Sequence, residues 1–203
     1  MIGKKIGIQP TARVVIDAII AKNNLDASQI TIVNVGFDKA PLERGEVDAI
    51  GGWITNTQSL SVLGPDRIDL LVSDMGLPSY ANVYFATDEA IEKNPETLAK
   101  FIGAVSKGWE WTKNNPQEAV KKTVEAYPDM SLEWELKTID LILKLSFDAD
   151  TAKDGWGTFD PAKIEEQIAM FDALKQYEQG RPKLEDVYTL KILDMTKDVR
   201  PKI

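Results

Sequence analysis

The sequence predicts an α/β protein, with a mainly parallel sheet followed by a helical C-terminal part. Short apolar runs alternate with helical patterns up to residue 50, and polar or glycine-rich turns follow these runs. Strand patterns stop after residue 87, whereas helix starts continue. The predicted division is therefore an α/β region over residues 1–87 and a helical region over residues 88–203.

The first region has a β-α-β-α-β pattern, which favours parallel strands joined by right-handed crossovers. Apolar residues at helical spacing, among them Val15, Ile16 and Ile19, indicate an amphipathic first helix. The predicted strands are Lys4–Ile8, Ile30–Val35, Asp48–Ile50 and Ala81–Thr87, and the predicted helices run from Ala12 to Asn23 and over Ala40–Arg44. We expect small ligands to bind where such strands end.

The second region is predicted to be helical because capping residues recur in it. Asn94, Asn115 and Asp160 each precede a proline, and Ser131 is a fourth capping residue. The apolar stripes of these helices exceed what the predicted strands can cover, so either the helices pack on one another or a second sheet is missing. The polar stretch Gln179–Ile203 is predicted to lie over the surface.

Composition excludes several function classes. The formal net charge is −8, which disfavours nucleic-acid and anionic-membrane surfaces. The chain has no Cys and no His, which argues against thiol or Ser-His-Asp catalysis and the usual zinc and haem sites. We therefore predict no catalytic residue, no metal site and no cofactor. No run is apolar and long enough to suggest a membrane span or a signal peptide.

Four candidate ligand-binding residues follow predicted strands. Trp53 comes after Gly51-Gly52, where an indole could stack on a planar ring or could instead plug the sheet edge. Asn56 could contact a ligand or cap the next helix. Gln9 and Thr11 stand at the start of the first helix, where Thr11 is more readily explained as an N-cap than as a ligand contact.

Tyr80 and Asn82 complete the candidate site. On the predicted strand Ala81–Thr87 the two residues would point the same way, one on each side of Ala81. We interpret them as a pair that contacts the ligand, although a Tyr can also pack beneath a domain. Asp38 is more simply explained as the start of the helix Ala40–Arg44.

Several segments together resemble a known family. They are GKKIGI, FDKAPLERGEVDAIGGWITNTQ, GLPSYANVYFATDE, WGTFDPAKIEEQ and EDVYTLKIL. The chain resembles substrate-binding proteins of ABC transporters, in the NMT1/THI5-like group that includes binders of thiamine-pyrimidine precursors. The resemblance implies a type 2 periplasmic-binding-protein-like fold, a small heteroaromatic ligand held between two lobes, and an ABC permease as partner. It also implies a periplasmic or membrane-anchored extracellular location.

The resemblance places this chain at a particular part of the family's architecture. Family members begin with a signal peptide and a first lobe, whereas this chain begins where they cross to the second lobe. Residues 1–87 then resemble the second lobe, and residues 88–203 resemble helices that pack on the first lobe, which would be missing. We expect a dimer or a swapped assembly to cover those helices.

Three alternatives to a heteroaromatic binder remain open. One is a sulfonate, taurine or nitrate binder, against which the sequence shows no cluster of Arg or Lys beside Trp53 or Tyr80. Another is an enzyme of the same fold, but the related thiamine-pyrimidine enzyme uses a Cys-rich motif and a His that this chain lacks. The third is an incomplete fragment without ligand affinity. The family pattern has an acidic residue two positions after Tyr80, where this chain has Asn82, so the ligand class can differ.

Overall fold

The structure is a computed structural model that describes residues 1–77, 80 and 82–202. The chain forms two compact units, one made of Met1–Tyr80 with Pro161–Pro182, the other of Ala81–Asp160 with Lys183–Ile203. This grouping differs from the predicted division at residue 87, because residues 161–182 return to the first unit. The assignment of these regions to lobes of a larger protein stays a prediction.

The first unit contains a parallel sheet in the strand order β2-β1-β3. The strands are β1 (Lys5–Ile8), β2 (Thr31–Asn34) and β3 (Ala49–Ile50), each within one residue of its predicted bounds. In the register, Ile6 pairs with Ile32 on one side and with Ala49 on the other. The three strands therefore end at one common edge of the sheet, the carboxyl edge.

The helices of the first unit are α1 (Arg13–Lys22), α2 (Ala40–Glu43), α3 (Thr57–Leu60) and α9 (Pro161–Ala173). The second unit contains α4 (Asp88–Lys93), α5 (Pro95–Asn114), α6 (Pro116–Ala126), α7 (Leu132–Ser146), α8 (Ala149–Asp154), α10 (Leu184–Val187) and α11 (Lys191–Met195). The predicted helix from Ala12 to Asn23 and the predicted helix Ala40–Arg44 are confirmed as α1 and α2.

The core of the first unit lies between β1 and α1. Its buried residues are Ile6, Ile8, Ile16, Ala18, Ile19, Ile20, Ile30 and Leu77. Partly buried Met170 and Leu174, from α9 and the residues after it, pack against this cluster. At about 25 cal/mol per Å² of buried apolar surface, burying these side chains stabilises the unit.

The predicted strand Ala81–Thr87 is wrong over its described residues. Residues 82–87 form neither a strand nor a helix, and Asn82 has a left-handed backbone with φ 51°. A strand in the sheet requires a neighbour that accepts its backbone hydrogen bonds, and the strand order β2-β1-β3 contains no fourth strand. The side chain of Phe85 is 95% exposed as a result.

The predicted helix starts of the second unit are confirmed, but the predicted capping bonds are not formed. Asn94, Asn115 and Ser131 stand at the N-terminal ends of α5, α6 and α7 without a side-chain capping hydrogen bond. Asn115 instead donates Nδ2 to Trp111 O at 3.0 Å, which closes the preceding helix. The sequence Asn-Pro therefore marks the boundary by ending one helix and starting the next.

Part of the C-terminal stretch is more deeply buried than its polarity predicts. Thr196 and Arg200 are buried in the second unit, and the Trp156 N–H donates to Pro201 O at 2.9 Å. Arg200 Nη1 donates to Trp156 O at 2.7 Å. Most of residues 179–202 are nonetheless exposed, so the prediction that the stretch lies over the surface is confirmed for most of it and is wrong at Thr196, Arg200 and Pro201. Arg200 is buried because its guanidinium satisfies the backbone carbonyl of Trp156.

Candidate functional site

The carboxyl edge of the sheet is held together by hydrogen bonds between the segments that leave it. The Val35 N–H donates to Ile8 O at 3.2 Å, and the Gly51 N–H donates to Gly7 O at 2.8 Å. Gln9 Nε2 donates to Gly36 O at 2.9 Å. These bonds extend the pairing of β1 beyond the last strand residues, so the turns that follow the strands stand side by side.

Trp53 is an exposed indole at this edge, where Phe37, in the turn after β2, is also exposed. The Trp53 side chain is 67% exposed, and it follows β3 after Gly51-Gly52. The interpretation of Trp53 as a plug of the sheet edge does not fit this exposure. An indole is costly to leave in water, so an exposed one beside bare backbone is suited to stack on a planar ligand.

Gln9 and Thr11 lie at the same edge, just after β1. Gln9 precedes the 3-10 turn Pro10–Ala12, and α1 begins only at Arg13. Thr11 lies inside this turn and is exposed, so the interpretation of Thr11 as the N-cap of α1 is wrong. The proline after Gln9 fixes the extra turn, because its locked φ favours a tight helical start.

Asn56 and Asp38 both take local structural roles. Asn56 Oδ1 accepts a hydrogen bond from the Ser59 N–H at 3.4 Å, at the start of α3. Asp38 Oδ1 accepts one from the Ala40 N–H at 3.0 Å, at the start of α2. The predicted role of Asp38 at the start of α2 is confirmed. Asn56 forms the predicted cap of α3.

Lys39 is a residue of this edge that the sequence analysis missed. Its side chain is only 4% exposed, and Nζ donates to Gly51 O at 2.8 Å. Burial lowers the pKa of Lys39, partly offset by the nearby charge of Asp38. The sequence holds one signal for it, since Lys39 occupies the N-cap position of α2, where Ser, Thr, Asp or Asn is usual.

Tyr80 and Asn82 are not brought together as a pair on a strand. Tyr80 is half-buried in the first unit, where Lys163 Nζ lies 5.7 Å from the centre of its ring. It lines a groove of about 500 Å³ between α1 and α9, with Val14, Ala18 and Met170 among the other lining residues. Asn82 is exposed and belongs to the second unit.

The second unit has a cavity of its own, with a different character. It measures about 170 Å³ and is lined by apolar and aromatic side chains, among them Tyr84, Phe101, Trp156 and Phe159. Trp156 stacks on Trp109 at 6.0 Å between ring centres, and Tyr84 meets it edge-on at 6.3 Å. This cavity offers apolar contact but few groups that could orient a polar ligand.

The described residues contain no group of three or more acidic, Cys or His side chains placed to hold a metal ion. No helix within the described part of the chain has both the length and the apolar character needed to cross a membrane.

A parallel sheet whose carboxyl edge presents an exposed indole and polar side chains is typical of α/β proteins that bind small molecules. The family model described as NMT1/THI5 like matches residues 1–119. The chain therefore belongs to the NMT1/THI5-like family.

A curated relative gives a further comparison. The chain is 30% identical over 162 residues to the formylaminopyrimidine-binding protein of Halalkalibacterium halodurans. The match covers 76% of this chain and 48% of that protein. The chain thus spans about half the length of this relative.

Proposed function

We propose that this chain binds a small heteroaromatic molecule at the carboxyl edge of its sheet, with the ring stacked on Trp53. The observation that carries the proposal is the 67% exposure of an indole directly after Gly51-Gly52, on the edge where α/β proteins bind ligands. The relative's name supports the ligand class, because that protein is named for binding a formylaminopyrimidine. The ligand proposed here is similar to a thiamine-pyrimidine precursor.

We propose different roles for the other candidate residues. Gln9 and Thr11 lie at the same edge, close in sequence to the end of β1, and are proposed to border the ring. Asn56 follows Trp53 and is proposed to act mainly by fixing α3. Tyr80 and Asn82 are also proposed to contact the ligand, without the strand that was predicted to align them.

We further propose that the chain acts as the solute-binding component of an ABC importer, outside the cytoplasm, with an ABC permease as partner. Capture would involve hydrogen bonds and stacking, with no covalent step and no enzyme activity. Membership of the NMT1/THI5-like family and the relative's name as a binding protein support this role. The related enzyme's His and Cys residues have no counterpart in this sequence.

The second unit supports a proposal about assembly. Apolar side chains on α5 and α7 remain exposed, with Phe101 at 50%, Leu132 at 41% and Leu136 at 37%. Exposed apolar faces of this kind favour burial against another protein surface. A dimer or a swapped assembly would supply it, and native mass spectrometry of the purified chain would report the oligomeric state.

One observation favours the alternative of a sulfonate-type or other acidic ligand. The sequence shows no basic cluster beside Trp53, but the structure places the ammonium of Lys39 against the Gly51-Gly52 turn. A cation therefore does lie against the turn that precedes the indole. The incomplete fragment without affinity stays an alternative that a binding measurement decides.

Calorimetric titration with formylaminopyrimidine tests the proposal. We expect Trp53→Ala to weaken binding about 30-fold, because losing a stacked indole costs about 2 kcal/mol. Trp111→Ala is the matched control, since Trp111 is a 39% exposed indole on α5 of the second unit. Unfolding midpoints of both variants close to that of the parent would show that the fold is retained.

Two results would contradict the proposal. Equal affinity in the parent and Trp53→Ala would remove the indole from the site. Absence of binding by the parent would favour the fragment without ligand affinity.

A further inference from the structure

Lys39 is buried at a position where no core contact requires a cation. Its side chain is 4% exposed, whereas the neighbouring Trp53 turn is open to solvent. Removing an ammonium from water is unfavourable unless the group is paired. Apolar packing alone therefore does not explain why Lys39 is buried at the turn that precedes Trp53.

The ammonium of Lys39 keeps unused hydrogen-bonding capacity. An ammonium has three donors, and among the described residues the hydrogen bond it makes is the one to Gly51 O at 2.8 Å. No carboxylate of the described chain lies within ion-pair distance of it. Asp38, the nearest acidic residue in sequence, directs Oδ1 to the Ala40 N–H. The charge is thus held in place by one carbonyl and is not neutralised.

Glycine at position 52 makes this arrangement possible. A Cβ on Gly52 would lie 2.9 Å from Lys39 Nζ and 3.2 Å from Cε, which is too close for a side chain. The ammonium therefore occupies the space that a side chain at position 52 would fill. Trp53 is the next residue, so the ammonium lies against the turn that leads into the indole.

We propose that Lys39 binds an oxygen acceptor on the ligand's ring substituent, and that the chain thereby selects heteroaromatic molecules that carry an acyl or acid group. This inference rests on the proposed function, since it requires a ring stacked on Trp53. An oxygen atom of the substituent accepts a charge-assisted hydrogen bond from Nζ, and this bond strengthens when the oxygen is anionic.

Three probes that share one ring separate this role from the stacking role. They are pyrimidine-5-carboxylate, pyrimidine-5-carboxamide and 5-methylpyrimidine, which differ in charge and in the presence of an oxygen acceptor. In calorimetric titrations of the parent, we expect the carboxylate to bind about tenfold more tightly than the methyl compound, with the carboxamide between them.

Two variants of Lys39 make the test specific. Lys39→Met keeps an unbranched side chain but removes the donors, and Lys39→Gln keeps an amide donor for Gly51 O but removes the charge. We expect Lys39→Met to lose the preference for the carboxylate over 5-methylpyrimidine. Lys39→Gln should bind the carboxamide and the carboxylate about equally. It also serves as the second variant if Lys39→Met does not fold.

Trp53→Ala distinguishes the failure of this inference from the failure of the proposed function. If the parent binds all three probes equally and Trp53→Ala weakens all of them, Lys39 does not contact the ligand, while the stacking role stands. The same conclusion follows if Lys39→Met keeps the parent's order of affinities. If the parent binds none of the probes, both the proposed function and the role of Lys39 are overturned.

Discussion

The two edges of the small parallel sheet differ in how their charged groups are paired. At the amino edge, Asp48 Oδ2 accepts the Lys5 N–H at 2.8 Å and Oδ1 pairs with Lys4 Nζ at 3.0 Å. At the carboxyl edge, the Lys39 ammonium has a single carbonyl partner and Trp53 is exposed. An edge whose charges are paired with each other has no free capacity for a ligand, whereas the carboxyl edge retains such capacity.

The pKa shifts follow the same contrast. The Lys5 N–H, with the Lys4 side chain, lowers the pKa of Asp48, which means that its charged form is stabilised. Burial lowers the pKa of Lys39, which means that its charged form is destabilised. The protein thus keeps a costly charge at the carboxyl edge, as is often seen at functional sites.

A pair of glycine variants at the carboxyl edge should give the largest effect on stability. We expect Gly52→Ala to lower the free energy of unfolding by about 1 kcal/mol, because the new methyl group displaces Lys39 Nζ from Gly51 O. Gly36→Ala adds the same methyl group where nothing lies within 4 Å, so it should change stability by less than about 0.5 kcal/mol.

Urea unfolding of both glycine variants measures this difference. Equal stability of Gly52→Ala and Gly36→Ala would show that Lys39 adjusts freely and is not held at the turn. A large loss in Gly36→Ala would show that the edge is sensitive to any added group, which would contradict the specific role of Gly52.

The charge of Lys39 should make stability depend on pH in the alkaline range. Because its pKa is lowered in the folded chain, the unfolded chain binds more protons between that pKa and the ordinary value. The stability of the parent relative to Lys39→Met should therefore increase as the pH rises from about 8 to about 10. Urea titrations of both proteins at the two pH values provide the measurement, and a constant difference would contradict a buried charge.

The amino edge should also gain stability as the pH rises, but in the acid range and with a smaller effect, because both partners are exposed. The pKa of Asp48 is lowered in the folded chain, so its contribution to stability is present above the unfolded pKa and is lost as the pH falls through the folded pKa. Asp48→Asn should be less stable than the parent near neutral pH, and the difference should shrink below about pH 4.

Thermal unfolding of the parent and Asp48→Asn, near neutral pH and below about pH 4, checks this expectation. Ligand affinity of Asp48→Asn should equal that of the parent, since the amino edge takes no part in binding. A loss of affinity in this variant would contradict the expectation that only the carboxyl edge takes part in binding.

The sequence was sufficient to predict much of this fold because the relevant signals are local. Alternating apolar runs located all three strands to within one residue, and Asn-Pro steps located α5 and α6. The run from Val83 to Thr87 has strand-like composition, but a strand also needs a partner, and partners depend on tertiary structure. The error over residues 82–87 has this cause.

The candidate site was predictable only in part, for a related reason. Trp53 and Gln9 were found because they directly follow strands, where ligand contacts are common. Lys39 was missed because its contact with Gly51 spans twelve residues and depends on how α2 packs beside β3. The pairing of Tyr80 with Asn82 failed because it assumed the strand that does not form.

Fluorine NMR of the chain labelled with 5-fluorotryptophan tests the central claim most directly. The sequence has five tryptophans, and comparison with Trp53→Phe identifies the signal of Trp53. On titration with formylaminopyrimidine, we expect the Trp53 signal to shift in a saturable way, because its indole is the exposed one at the carboxyl edge. Saturable shifts of other signals while that of Trp53 stays unchanged would contradict the claim and place the ligand elsewhere.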